Sequence, residues 1–341
     1  MSFLAGRQDA RSVDERLGRY VARELPQRLG LEPPPSAGVR IGSFARGRSA
    51  CVRHATLPGY GPVVVRAYVT SSKRRRLKGY RELHERLTAC GVPAPRLLFV
   101  DDTSATRRAY GFGVLAEEFI DGRIFAELPP GTQDRLLEPV ADVLAALHGV
   151  RSPEAGRPWE GQRWRPRVHA RRRVALWLGR IRLVVAGLRH RRRRRLAAWF
   201  ADRVHALGRE AYPLIHEDVD KTNVLLDAAG QVRLVDFARC THWFPQYDLI
   251  VSEYSICRDD PARIRVLRDR YFAVTAEDPA LCRAVYEATR PLWDAWYHLR
   301  AAASRARRSA RAEGPKAEHW AHAARDHWSR ALDALRQAGA T

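Results

Sequence analysis

The 341-residue chain is 45% hydrophobic, enough to bury the core of a two-lobed protein, and its 23 glycines and 20 prolines fit neither a collagen-like nor a disordered class. Sixty Lys and Arg against 38 Asp and Glu leave a formal charge of +22, a field that draws acidic small molecules, anionic membrane surfaces or nucleic acid without choosing among them. Five cysteines, odd in number and without C-x-x-C spacing, exclude a disulfide framework or zinc knuckle and read as reduced thiols of a cytoplasmic protein; no secretory leader opens the chain, and no run approaches the ~20 apolar residues of a spanning helix.

Val13, Leu17, Val21 and Leu25 recur at helical spacing before Pro33, Pro34 and Pro35, so residues 1–37 are expected to form a helix and linker appended to the rest of the chain. From Val39 the texture is strand-like: Val39 to Ile41, a Gly/Ser/Arg turn over 42–49, Ala50 to Leu57, a Pro-Gly turn, then Val63 to Val69. A charged helix over about 72–90 is stopped by Val92-Pro93-Ala94-Pro95, and strands near 97–100 and 114–120 complete a small antiparallel sheet with one inserted helix, over 38–120. Beyond 121 the chain reads mainly helical to 341, with Leu136, Val140, Val143, Leu144 and Leu147 on one helix face and Trp293, Trp296, Trp320 and Trp328 filling gaps between C-terminal helices. Residues 163–200 form a basic amphipathic insert, where Arg171–Arg173, Arg180, Arg182 and Arg191–Arg195 flank Val174, Leu178, Ile181, Val185 and Leu188. That stripe fits an anionic leaflet, and equally a helix packed on the protein with its arginines in water.

The chemistry concentrates in Leu214 to Leu226, which holds His216-Glu217-Asp218 and, five residues after the Asp, Asn223; a Gly-containing hairpin then leads to Val235-Asp236-Phe237. Phosphoryl transfer asks a protein mainly for positioning, for charge neutralisation by Mg²⁺ and for a carboxylate that aims the attacking hydroxyl. Asp218 can take the acceptor's proton, while Asn223 and Asp236 offer the hard oxygens Mg²⁺ prefers.

These residues resemble the protein-kinase-like superfamily, most closely its small-molecule branch of aminoglycoside phosphotransferases and lipopolysaccharide-core Kdo and heptose kinases. The branch's H-G-D-L-H-x-x-N and I-D-F/W are matched by His216 to Asn223 and by Val235-Asp236-Phe237, its L-A-x-L-H by Leu144 to His148, and its Y-D-L by Tyr247-Asp248-Leu249. The resemblance covers about 38–260. It implies an α+β bilobal kinase fold with a nucleotide-binding lobe at 38–120 and a helical catalytic lobe at 121–341. It also implies ATP and Mg²⁺ as cofactors, structural support of the site from His216 and Asp248, and a hinge at Glu118 to Ile120 that holds adenine through its backbone. Arg66, on the third strand, stands where protein kinases carry a lysine, with Glu82 on the next helix as its expected partner and Glu85 the weaker candidate. Ser43 and Ser49 lie in the expected phosphate loop. The sequence departs from the pattern in lacking G-x-G-x-x-G, in Ala238 for the Gly of D-F-G, and in Asp220 where His or Lys is usual.

The acceptor follows from charge. Aminoglycosides are polycations that a +22 protein repels, so the expected acceptor is anionic, a sugar lipid of the lipopolysaccharide core met at the inner face of the membrane through 163–200. A soluble metabolite or antibiotic is the alternative within the enzyme class. A catalytically silent kinase-like protein that binds membrane or nucleic acid is the alternative outside it, and the retained Asp218, Asn223 and Asp236 speak against it.

Overall fold

A computed structural model describes residues 2–31, 39–43, 51–69, 71–158 and 162–340. The Pro33–Pro35 linker and the expected phosphate-loop segment 44–50, with Ser49, lie outside the described residues, as does the side chain of Ser43. In chain order, α1 (Ser2–Arg23) and α2 (Leu25–Arg28) precede β1 (Arg40–Ser43), β2 (Cys51–Leu57), β3 (Gly61–Tyr68), α3 (Ser71–Ala89), β4 (Leu97–Asp101), α4 (Ser104–Tyr110), β5 (Gly113–Glu118) and β6 (Gly122–Ile124). Then come α5 (Pro130–Arg135), α6 (Leu137–Gly149), β7 (Arg151–Ser152), β8 (Ala155–Arg157), β9 (Gln162–Trp164), α7 (Pro166–Ile181), α8 (His190–Ala206), β10 (Tyr212–Ile215), β11 (Val224–Asp227) and β12 (Val232–Leu234). The chain ends with β13 (Thr241–His242), α9 (Gln246–Ser255), α10 (Pro261–Val274), α11 (Pro279–Ser309) and α12 (Gly314–Gln337).

Two units divide these elements. A mixed unit takes Met1–Leu128, Pro158–Gly161 and Thr222–Ala238; a helical unit takes Pro129–Arg157, Gln162–Lys221 and Arg239–Thr341.

The mixed unit is built on an antiparallel sheet of order β1-β2-β3-β5-β4. Side chains alternate across a strand, so β3 and β5 serve two faces at once. Val63, Val65, Ala67, Val114 and Ala116 form one buried face, and Val13, Leu17, Tyr20, Val21 and Leu25 pack into the same core. The N-terminal helix is therefore not an appendage: its apolar stripe completes the sheet's core, each such side chain contributing about 1.5–3 kcal/mol by burial. Tyr20 donates to Asp101 at 2.9 Å and Tyr110 to Glu24 at 3.1 Å, which fixes the helix against the sheet. The other face carries Arg66, Tyr68 and Glu117 toward Tyr80 and His84 of α3. Besides α3, the sheet has a second insert, the short α4, capped by Thr103 and ended by Gly111 in the left-handed conformation. A three-stranded sheet of order β12-β11-β6 completes this unit.

In the helical unit, α6 buries Val140, Val143, Leu144 and Leu147, with Leu136 buried at its N-cap, as the spacing requires, and the small strands pair in the order β7-β10-β13-β8-β9. Trp293, Trp296 and Trp328 are buried, while Trp320 is half-buried with Arg308 over its ring. The basic insert is two helices, α7 and α8, and its apolar stripe faces inward: Val174, Leu178 and Ile181 are fully buried and Trp177 meets Trp296 of α11 edge-on at 4.8 Å. Its arginines Arg191, Arg192, Arg194 and Arg195 are exposed. Of the two readings of this stretch, packing on the protein accounts for the stripe. Among the described residues no helix is long and apolar enough to cross a membrane.

Candidate active site

In the mixed unit, Arg66 is the centre of a charged group set into the sheet. Its Nε donates to Glu117 Oε2 at 2.8 Å and its Nη1 to Asp236 Oδ1 at 3.3 Å, and His84 Nε2 stands 3.4 Å from Glu117 Oε1. The register explains the pairing: Arg66 lies opposite Leu115 and Val64 opposite Glu117, so arginine and glutamate are diagonal neighbours on one sheet face. Burial disfavours both charges, yet the Glu117 carboxyl is held below its ordinary value by Arg66 and His84, and the Arg66 guanidinium is held charged by Glu117 and Asp236. The expected partner Glu82 is exposed on α3, as is Glu85. Each residue along a helix turns about 100° around the axis, so the buried face of α3 presents His84 where the resemblance places Glu82.

Asn223 and Asp236 meet at the open end of the β11–β12 hairpin. Val224 pairs with Leu234, and the Val235 amide donates to the Asn223 carbonyl at 2.9 Å, which brings the residues flanking both strands together. Asp236 adopts φ 65, a left-handed conformation rare for a residue with a side chain. Its carboxylate is 42% exposed. A carboxylate and an amide oxygen at one hairpin end suit Mg²⁺, which takes few protein ligands and keeps water and phosphate oxygens for the rest. Among the described residues no group of three or more His, Cys, Asp or Glu side chains is arranged to hold a metal. At the expected hinge, the Glu118 amide is already committed to the Arg96 carbonyl at 2.9 Å, and Ile120 is buried.

In the helical unit, β10 delivers the loop that bears Asp218. Asp248, fully buried in the first turn of α9, accepts from the His216 amide at 2.6 Å and the Glu217 amide at 2.9 Å. His148 Nε2 stands 3.5 Å from the same carboxylate and its Nδ1 2.7 Å from the Tyr271 hydroxyl. The loop's backbone is thus held by a carboxyl group in a dry setting, where hydrogen bonds are strong. Asp220 engages the end of α9: Ser255 donates to its carboxylate at 3.0 Å, which ties the loop to that helix. The unusual carboxylate at this position is a loop brace.

No pattern in the sequence announces the arginine cluster around Asp218. Arg239 Nη1 lies 3.3 Å and Arg300 Nη2 3.5 Å from Asp218 Oδ1, and Arg300 Nη1 donates to the Glu217 carbonyl at 2.8 Å and also to the Tyr247 hydroxyl. Arg300 comes from α11, 83 residues beyond Glu217, too far along the chain for local spacing to signal the contact. Glu217 itself, at φ 64, turns its side chain into the protein, 12% exposed. Burial pushes its carboxyl up, but Arg173, Arg300, Arg239 and Arg157 outweigh burial and hold it below the ordinary value. Arg173 is oriented by His169, to which its Nε donates at 3.2 Å; burial and that arginine push His169 down to about 3, so it accepts as a neutral ring.

A small antiparallel sheet that carries a buried cation–carboxylate pair, a hairpin with Asn and Asp at its open end, and an acid-bearing loop clamped from a following helix define a protein-kinase-like fold. Residues 41–285 match the model of the phosphotransferase enzyme family, and the chain belongs to that family: it is a kinase. No curated protein matches its sequence significantly. Among solved structures it is similar to a protein from Ralstonia eutropha JMP134 assigned as an aminoglycoside phosphotransferase, at 16% identity and a TM-score of 0.64, over 95% of this chain and 98% of that one. It is also similar to a thermostable mutant of aminoglycoside phosphotransferase APH(4)-Ia in complex with ADP and hygromycin B, at 16% identity and a TM-score of 0.58, over 94% and 99%. A third similar structure is the choline kinase LicA from Streptococcus pneumoniae, at 12% identity and a TM-score of 0.56, over 88% and 94%. Likeness at such identities is one of fold.

Proposed function

We propose that the protein transfers the γ-phosphate of ATP, with Mg²⁺, to a hydroxyl of an anionic non-protein acceptor, a sugar lipid of the lipopolysaccharide-core type. The observation that carries the reading is the loop clamped by Asp248, which presents Asp218 among arginines instead of the acidic surroundings a polycationic acceptor needs. In this reading Asp218 takes the acceptor's proton and Arg66, steadied by Glu117, grips the nucleotide phosphates. Ser43 and Ser49 cover those phosphates, the backbone from Glu118 to Ile120 receives adenine, and Asn223 and Asp236 hold the metal. Bound there, Mg²⁺ supplies neutralisation of the charge on the transferred phosphoryl group. Exposed arginines of α7 and α8 serve a peripheral contact with an anionic leaflet by charge alone, since their apolar stripe is buried.

A soluble acceptor is the second reading, favoured by the similar structures named for aminoglycoside and choline substrates. Mass spectrometry after incubation with Mg·ATP and core glycolipid, neutral sugars or aminoglycosides separates the two; turnover of cationic antibiotics alone would eliminate the first. Asp218→Asn is expected to lower turnover about 10²–10⁴-fold, the usual contribution of a general base, with nucleotide binding retained.

A further inference from the structure

The turn between the two helices of the basic insert is not explained by packing on the protein. α7 ends at Ile181, α8 begins at His190, and residues 182–189 join them. The Val184 and Val185 amides both donate to the Ile181 carbonyl at 3.0 Å, so helical winding continues past α7 until Gly187, at φ 76, breaks it. Leu183 is 59% exposed, Val184 and Val185 beside it are half-buried, and Ala186 is exposed. Leu176, seven residues earlier and so on the same helix face, is 48% exposed. An apolar strip thus meets solvent, separate from the stripe that Val174, Leu178 and Ile181 bury.

Cations rim this strip. From residue 165 to residue 201 the chain has thirteen arginines and no Asp or Glu. Arg182 and Arg189 bracket the turn, Arg191, Arg192, Arg194 and Arg195 follow it, and all six are exposed. The N-terminus of a helix is the positive end of its dipole, where carboxylates are favourable and cations are not. α8 nevertheless opens on His190 and five consecutive arginines, with no acidic residue in its first turn and no side-chain cap. Cations that disfavour their own helix, set around an exposed apolar turn, suit anionic headgroups and the hydrocarbon beneath them.

We propose that the turn 182–189 inserts Leu183 and its apolar neighbours into an anionic lipid leaflet, with the arginines that open α8 at the headgroups. This rests on the reading of a lipid-borne acceptor. Charge complementarity favours a membrane over a second copy of the chain, because two copies at +22 would bring like patches together. The helices then contribute charge, and the turn contributes the apolar contact that their buried stripe cannot.

Flotation with vesicles of phosphatidylglycerol in phosphatidylcholine, and of phosphatidylcholine alone, separates the two contributions. The anionic vesicles are expected to capture the protein at least about tenfold better at ~0.15 M salt, and part of that capture to survive ~1 M salt, where the screening length is about 3 Å. Leu183→Ser, at a position exposed enough to leave the fold and Mg·ADP binding intact, lowers capture about 5- to 30-fold through the apolar area withdrawn. Leu183→Trp keeps or raises it, since indole favours the membrane interface. Arg191→Gln combined with Arg192→Gln lowers it about 10- to 30-fold, and only at the lower salt. Capture that salt abolishes and Leu183→Ser leaves unchanged overturns insertion and leaves contact by charge standing. Equal capture by phosphatidylcholine alone overturns the role of the arginines, and self-association that Leu183→Ser abolishes assigns the turn to a second copy instead. Absence of capture by either vesicle removes insertion and peripheral contact together. Capture as expected, with turnover of a soluble acceptor alone, upholds the turn and removes the glycolipid reading.

Discussion

Replacing Glu217 by glycine sets two effects against each other, and their magnitudes decide the sign. At φ 64 a side chain costs of order 1 kcal/mol that glycine avoids, although glycine returns about 0.5–1 kcal/mol of this as backbone entropy lost on folding. Against that small gain stands the removal of a carboxylate 12% exposed among Arg157, Arg173, Arg239 and Arg300. Breaking a buried charge cluster by deleting one partner costs about 3–5 kcal/mol. Glu217→Gly is therefore expected to lose about 3 kcal/mol, even though related phosphotransferases commonly carry glycine at this place. Equilibrium urea unfolding followed by tryptophan fluorescence reports it, because eight of the nine tryptophans belong to the helical unit. The pH dependence adds a sign. The folded carboxyl lies below its ordinary 4.5, so its contribution is full above that value and is lost as pH falls through the folded pKa. Glu217→Gln has no such group. The stability gap between the parent and Glu217→Gln should be widest near neutrality and close below pH 4.5. A glycine variant as stable as the parent at pH 7, or a glutamine gap unchanged at low pH, would refute the reasoning.

Asp248→Ala leaves the buried amides of His216 and Glu217 without their acceptor, a loss of about 1.5–3 kcal/mol for each charge-assisted bond; hydrogen exchange at these two amides should accelerate and turnover fall with it, whereas unchanged protection would separate the clamp from the loop's order. Glu117→Gln removes the charge that steadies Arg66 and should raise the KM for ATP more than it lowers kcat, checked by steady-state kinetics. Leu17→Ala, at a fully buried position of the N-terminal helix, should destabilise the mixed unit by about 3–5 kcal/mol in thermal unfolding, an effect no appended helix would produce.

Local chemistry is legible in the sequence where it is written in adjacent residues. Strand-like runs set between turn residues mark β2, β3 and β5, and the run from His216 to Asn223 with Val235-Asp236-Phe237 marks the loop and hairpin. The partner of Arg66 is Glu117, not Glu82, because the pairing depends on register: Glu117 follows Ala116 in an apolar strand, and only the pairing of β3 with β5 shows that it shares a face with the arginine. A carboxylate inside an otherwise apolar strand is the available signal, since a buried charge needs a partner. The N-terminal stripe is recognisably amphipathic, but periodicity does not say which surface covers it. The arginine cluster has no local signature at all, because Arg157, Arg173, Arg239 and Arg300 come from four separate elements.

For the proposed anionic acceptor, the charge around Asp218 is a more specific argument than the net +22. Exposed arginines such as Arg191, Arg192, Arg194 and Arg195 are screened beyond about 8–10 Å at physiological salt, so they concentrate an anion near the surface without selecting it. Arg300 and Arg173 are different in kind: they are withdrawn from water, held in place by Glu217 and His169, and screened little. A polycation brought to Asp218 would meet this fixed field with no carboxylate surplus to receive it, whereas an anion repays the desolvation the arginines have already undergone. On the proposed reading, selectivity resides in a few buried charges around one loop, and changing them would change the acceptor class while Asp248 continues to hold the loop's backbone.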